Sequence, residues 1–241
     1  HTALTNGSVY LYSFNNTAAG YVDSATVTDS ATPSGSSILL QDAFDNSVID
    51  SALWDVINPN TPNITFTETS VLTIDTDSSV TEIAAYTNKV QSKIAFDLST
   101  GVTALKLDFN ENPLNSGGSF ALGLSDGGIA DRIDFSGNTT AGKVYAVSVT
   151  GGAVDKLESV SLAASTTKSI KILVQGGEIK WFFWDTSGTP AWVQLGSTLT
   201  LTVSASYFVV LTHQRASSAA TVTEVSNLFV TNADFATQNP I

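Results

Sequence analysis

Ile170, Ile172 and Val174 alternate with Lys171, Leu173 and Gln175. A period of two marks a β-strand, because successive side chains point to opposite faces. Gly176 and Gly177 follow, and glycine reaches positive φ without steric cost, which predicts a two-residue hairpin turn. The return run puts Ile179, Trp181 and Phe183 on one face and Glu178, Lys180, Phe182 and Trp184 on the other. Residues 185–190, DTSGTP, predict a second turn and 191–195 a third strand.

Short runs of the same kind recur along the chain. Strands are predicted at 38–44, 64–69, 71–75, 82–87, 92–97, 103–109, 119–124, 132–135, 143–149, 157–162, 198–203, 207–214 and 221–231. Gly, Asn, Asp and Ser separate most of them, the signature of an all-β sandwich. The one helical feature is a single turn at 51–54, which Asp50 can cap. Residues 1–36 are rich in Ser, Thr, Asn, Ala and Gly. They hold two short apolar runs, at 9–14 and 21–28, and a linker-like end. We expect an N-terminal extension over 1–36, either an arm that joins a neighbouring subunit by strand addition or two further strands of this chain's own sandwich. A single β-sandwich domain is expected over 37–241.

Two stretches carry a family resemblance. Phe44-Asp45, followed by Ile49-Asp50-x-x-x-Trp54, resembles the opening of the concanavalin A-like lectin and glucanase jelly rolls, which include laminin-G-like domains. The run TVTEVSNLFVT at 221–231, with Asn227 ahead of its final apolar residues, resembles the closing strand of that group. The resemblance implies an antiparallel jelly roll over residues 38–232.

Composition narrows the functions. Ten Lys and Arg face 22 Asp and Glu, for a net charge of −12, and none of the ten precedes Lys89. Neutralising phosphates needs clustered cations, so nucleic acid is not expected as a partner. The chain has no cysteine, hence no disulfide or thiol chemistry. No apolar run approaches the ~18 residues of a membrane span.

Retaining glucanases of the resembled group carry a Glu-x-Asp-x-x-Glu type of strand, and their chemistry needs two carboxyls about 5–5.5 Å apart. That pattern is absent here. Asp75 and Asp77 are the closest same-face pair but run into a turn, and Asp131 and Asp134 have the wrong parity for one face. His213 lies in a strand pattern and is expected to be structural. The resemblance suggests a structural calcium near the first and last strands, with Asp42, Asp45 and Asp234 as hard oxygen donors. No cofactor is required.

The aromatic face of Phe182 and Trp184, extended by Trp192, is the candidate glycan platform. The sequence thus favours a non-enzymatic recognition or structural module, extracellular or on a virion surface, such as a capsid or tail appendage. It would assemble as a homo-oligomer through its arm and bind a cell-surface glycan. The alternatives are a carbohydrate-binding module or glycan-active enzyme of a secreted polysaccharide system, and an extracellular filament subunit.

Overall fold

The computed structural model describes residues 37–59, 63–76, 86–112, 118–138, 143–161, 168–203, 206–215 and 221–234. The expected arm, its two runs and Asp77 lie outside these residues. The strands in chain order are β1 (Ile38–Asp42), β2 (Trp54–Ile57), β3 (Ile64–Glu68), β4 (Leu72–Thr76), β5 (Lys89–Ser92), β6 (Val102–Asn112), β7 (Gly118–Ser125) and β8 (Arg132–Asn138). They continue with β9 (Lys143–Thr150), β10 (Ala153–Ser161), β11 (Lys168–Gln175), β12 (Glu178–Asp185), β13 (Ala191–Gln194), β14 (Leu199–Thr200), β15 (Phe208–Arg215) and β16 (Thr221–Thr231).

They form two antiparallel sheets. A nine-stranded sheet runs β13-β12-β11-β6-β16-β4-β3, with β1 also on β16 and β14 on β12. A seven-stranded sheet runs β10-β9-β8-β7-β15-β5-β2. The inward positions of the two sheets meet in one core. Leu105, Leu107, Ile170, Ile172 and Trp181 face Leu122, Leu124, Ile133, Phe135 and Leu211, all buried. Trp181 also satisfies its indole N–H on the Asp134 carbonyl at 3.1 Å, which ties β12 to β8 across the sandwich. The architecture is the expected all-β jelly roll. No helix of the described residues is long and apolar enough to cross a membrane.

The predicted hairpin is present in full. Ile170 pairs with Phe183 and Val174 with Ile179, and Gly176 and Gly177 take φ of 58° and 80°. The predicted turn at 51–54 is a turn, with Leu53 and Trp54 N–H groups both donating to the Asp50 carbonyl. Asp50 Oδ1 caps it by accepting from the Ala52 N–H at 2.8 Å. Two expectations shift. Residues 86–87 form a turn, and the strand expected at 92–97 falls earlier, as β5. Trp54–Ile57 is a strand that the alternation did not reveal, because only Trp54 of its four residues is buried.

The two family-like stretches have physical roles. Trp54 Nε1 donates to Asp42 Oδ2 at 2.7 Å, and its ring packs 5.5 Å from that of Phe44. Phe44 lies at φ 58°, and its N–H donates to Asp42 Oδ1 at 2.8 Å. The opening motif is therefore a lock that folds the chain back at the end of β1. Asn227 sits at φ 50° where the β16–β6 register shifts, a conformation Asn tolerates better than most residues. Its amide donates to Asp108 Oδ2 at 2.9 Å.

Candidate active site

Strand β8 alternates Ile133 and Phe135 into the core with Arg132, Asp134 and Ser136 on the outer face of the seven-stranded sheet. The neighbouring strand places Gly123 directly opposite Asp134. A Cβ there would stand 2.5 Å from the Asp134 Cα and 2.4 Å from the Ile133 oxygen, so only glycine fits. The neighbouring backbone thus takes the place of a side chain at Gly123, and the two strands close up beside Asp134.

Tyr86 reaches the same sheet face from the turn before β5. Its φ of 62° is strained for an aromatic residue. Its ring packs on Ala121 and Val210, and its hydroxyl donates to Asp134 Oδ2 at 2.5 Å. Arg132 Nη1 lies 3.3 Å from the same oxygen, with the guanidinium 5.4 Å from the Tyr86 ring centre. Ser136 Oγ donates to Asp134 Oδ1 at 2.5 Å. Asp134 is fully buried. Burial pushes its carboxyl above the usual range, against the pull of Arg132 and the hydrogen bonds from Ser136 and Tyr86. Burial and then the Asp134 charge push the Tyr86 phenol well above its ordinary value. Tyr86 is therefore a protonated donor at neutral pH.

The cluster has a solvent side in Arg132, Ser136 and the half-buried Tyr145, which pairs with Ser136. The row from Asp134 through Gly123 and Val210 reaches Gln91 on the same face. Arg132 Nε and Gln91 Oε1 are both buried with no hydrogen-bond partner among the described residues. No second carboxylate is among the partners of Asp134.

Sequence reasoning missed this cluster because it looked for paired carboxylates. The alternation of Arg132, Asp134 and Ser136 on one strand face was the available signal. Tyr86 gave no signal at all.

The predicted platform lies on the outer face of the other sheet. Trp184 pairs with Trp192, and their rings touch edge to face, 5.3 Å apart at 69°. Phe182 joins them, and all three are half-buried. The Lys171 ammonium stands 4.3 Å from the Phe182 ring centre and 5.2 Å from that of Trp192. It also pairs with Asp234 at 2.8 Å. The three aromatic residues are thus together, but they form a corner around a lysine rather than one flat surface.

The remaining candidates are separated. His213 is buried in the interior with Leu211. Asp75 is exposed on β4. The expected calcium set does not converge, because Asp42 pairs with Leu228 at one end of β1 while Asp234 lies beyond Thr231 at the other. Both Asp42 oxygens are already used, and Asp234 is paired with Lys171. Among the described residues no three acidic or histidine side chains form a metal site. A cleft of about 430 Å³ by Leu39, Ile94, Phe96 and Asn232 holds Asp97, whose oxygens serve Ser99 and Thr100.

No family model and no curated protein matches the sequence. Solved structures do match the fold. One, reported with endo-acting O-glycanases of the human gut microbiota that initiate mucin breakdown, aligns at TM-score 0.58 and 15% identity, over 82% of this chain and 100% of that one. A non-specific endo-β-1,3(4)-glucanase of family GH16 aligns at TM-score 0.58 and 12% identity, over 83% and 92%. A family 7 alginate lyase crystallised with substrate aligns at TM-score 0.53 and 12% identity, over 77% and 96%. The fold is the concanavalin A-like jelly roll. These likenesses correct the expectation of a non-enzymatic module, since glycanases, glucanases and lyases share the architecture. The missing Glu-x-Asp-x-x-Glu strand removes one mechanism and leaves catalysis open.

Proposed function

We propose that this chain is a glycan-active enzyme working outside the cell, with the glycan laid across the outer face of the seven-stranded sheet above Asp134. The observation that carries the reading is a fully buried carboxylate held at once by Tyr86, Arg132 and Ser136 on an outward sheet face. Buried titratable groups with strongly shifted proton affinities mark functional sites. In this reading Tyr86, its hydroxyl fixed by Asp134 and Arg132, gives its proton to the leaving oxygen as the glycosidic bond breaks; the proton lost by the attacking water in hydrolysis, or by the adjacent sugar carbon in elimination, returns to the phenolate. The virion reading gains no support from the fold.

The test is a panel of β-1,3-glucan, xylan, alginate and mucin O-glycans, read for new reducing ends and for ultraviolet absorbance of unsaturated ends. Reducing ends alone mean hydrolysis; both together mean elimination. We expect one polymer class to be cut, and Tyr86→Phe to lower turnover by roughly 10²–10⁴-fold with its fold intact. A panel left wholly intact would sink the proposal.

A second, binding role for the opposite face rests on the contact of Trp184 with Trp192. Lys171 takes one face of Phe182, so Trp184 carries the stacking in this reading. Trp184→Ala should weaken retention on an immobilised polymer and leave turnover of a short oligosaccharide unchanged.

A further inference from the structure

We infer that the outer face of the nine-stranded sheet binds an anionic glycan, whose carboxylate or sulfate takes on Lys171 the place that Asp234 fills in the free protein. The inference deepens the binding role proposed above for this face and rests on it. The chain has ten basic residues against 22 acidic ones, yet three of the ten meet on this one face. Lys106 of β6 stands opposite Lys171 of β11, and Lys171 stands opposite Phe182 of β12. Lys180 precedes Phe182 by two positions along the same row. Burial lowers the proton affinity of Lys106, Asp108 raises it, and the charge of Lys171 lowers it again, so the two ammonium groups feel each other.

A carboxylate answers each lysine, and the three carboxylates are held differently. Asp108 lies on β6, where the Ser169 hydroxyl and the Asn227 amide both donate to it. Glu178 lies on β12, paired with Lys180 at 2.8 Å. Asp234 lies on no strand. It follows the end of β16 by three residues, past a turn in which Thr231 Oγ1 donates to the Ala233 carbonyl. Its Oδ1 meets the Lys171 ammonium at 2.8 Å. The lysine side chain is 2% exposed and the aspartate 32%. Asp234 can therefore leave without unpairing a strand, whereas Lys171 stays on the sheet. A buried ammonium left without its partner is costly, so another anion must take the vacated position.

The surroundings select the ligand. Phe182 and Trp192 lie 4.3 and 5.2 Å from the ammonium, and Trp184 touches Trp192 edge to face. Aromatic walls with one placed charge fix both the position and the orientation of a small ligand. An acidic sugar carries an apolar ring face and a charged group on a single unit, which match the tryptophans and the lysine. A simple anion would use the ammonium alone, and a neutral sugar the rings alone. The site lies on the opposite sheet from the Asp134 cluster.

The experiment is calorimetric titration of the full chain carrying Tyr86→Phe, so that turnover does not intervene. The ligands are oligogalacturonate, sulfated dextran and a neutral β-1,3-glucan oligosaccharide. An acidic ligand should bind more tightly than the neutral one, and added salt should weaken it. Binding of oligogalacturonate alone assigns the site to uronic acids, of sulfated dextran alone to sulfated sugars, and of both to anionic sugars at large. Asp234→Asn should tighten acidic binding about tenfold, because apparent affinity is reduced by the fraction of molecules in which the site is already filled. Lys171→Met keeps the buried stem and should erase the preference for acidic ligands while sparing the neutral one. Trp184→Ala should weaken the acidic ligands too, which separates this site from the Asp134 face. Equal affinity for acidic and neutral ligands overturns the inference and leaves the glycan platform standing. An Asp234→Asn variant that binds acidic ligands no better than its parent also overturns it, as does acidic binding indifferent to Trp184→Ala. Failure of every ligand to bind either protein removes both the inference and the platform.

Discussion

Individual residues carry most of the site, and the sequence concealed most of them. Asp134 was visible as one position of an alternating strand, but its meaning depends on Tyr86, 48 residues earlier, and on Gly123 across the sheet. No local pattern reports such a meeting. Gly123 gives the sharpest residue-scale prediction. Its Cβ has no space, so Gly123→Ala should cost about 1–3 kcal/mol by overpacking and displace Asp134, measurable as a lowered denaturation midpoint with altered Tyr86 fluorescence. Glu68 gives a pH prediction. Burial raises its proton affinity, opposed by the Asn46 N–H and assisted by Asp42, Asp45 and Asp50. A carboxyl whose folded pKa is raised binds its proton more tightly when folded. Its contribution is therefore fully present below the unfolded value of 4.5 and is lost as pH rises through the folded value. Wild-type stability, read as the melting temperature, should fall on going from about pH 4.5 to neutrality more steeply than that of Glu68→Gln.

At the level of elements, alternation was legible wherever one face is buried and one is not. The β11–β12 hairpin announced itself because Ile179 and Trp181 are sealed while Glu178 and Lys180 meet solvent to differing degrees. Strands β2 and β5 did not, since they are short and follow turns whose register only tertiary pairing sets. The opening motif was legible as a resemblance, and the structure supplies its reason. Asp42 joins the backbone at Phe44 to the indole of Trp54. Trp54→Phe keeps the ring packing and removes the donor, leaving a buried carboxylate oxygen unmet. It should cost about 1–3 kcal/mol in chemical denaturation. The platform aromatics were legible as a face, but their angle and the lysine among them were not, because Lys171 arrives from the neighbouring strand.

As a whole, the molecule shares one core between its two sheets, and its unfolding should be a single transition by both fluorescence and circular dichroism. Two separated transitions would contradict that. The pairing of β1 with β16 closes the nine-stranded sheet across nearly the entire described chain, with Ser37 and Asn232 bonded to each other at its open end. Contacts so distant in sequence close late, which predicts slow folding on the millisecond-to-second scale of all-β proteins. The same pairing sets how the protein bears load. Residues 37 and 232 leave the sandwich side by side, so tension applied through them would peel β1 from β16 one rung at a time instead of shearing all rungs together. The molecule would then yield at low force along this seam, acting as a mechanical fuse between whatever is joined to its two ends.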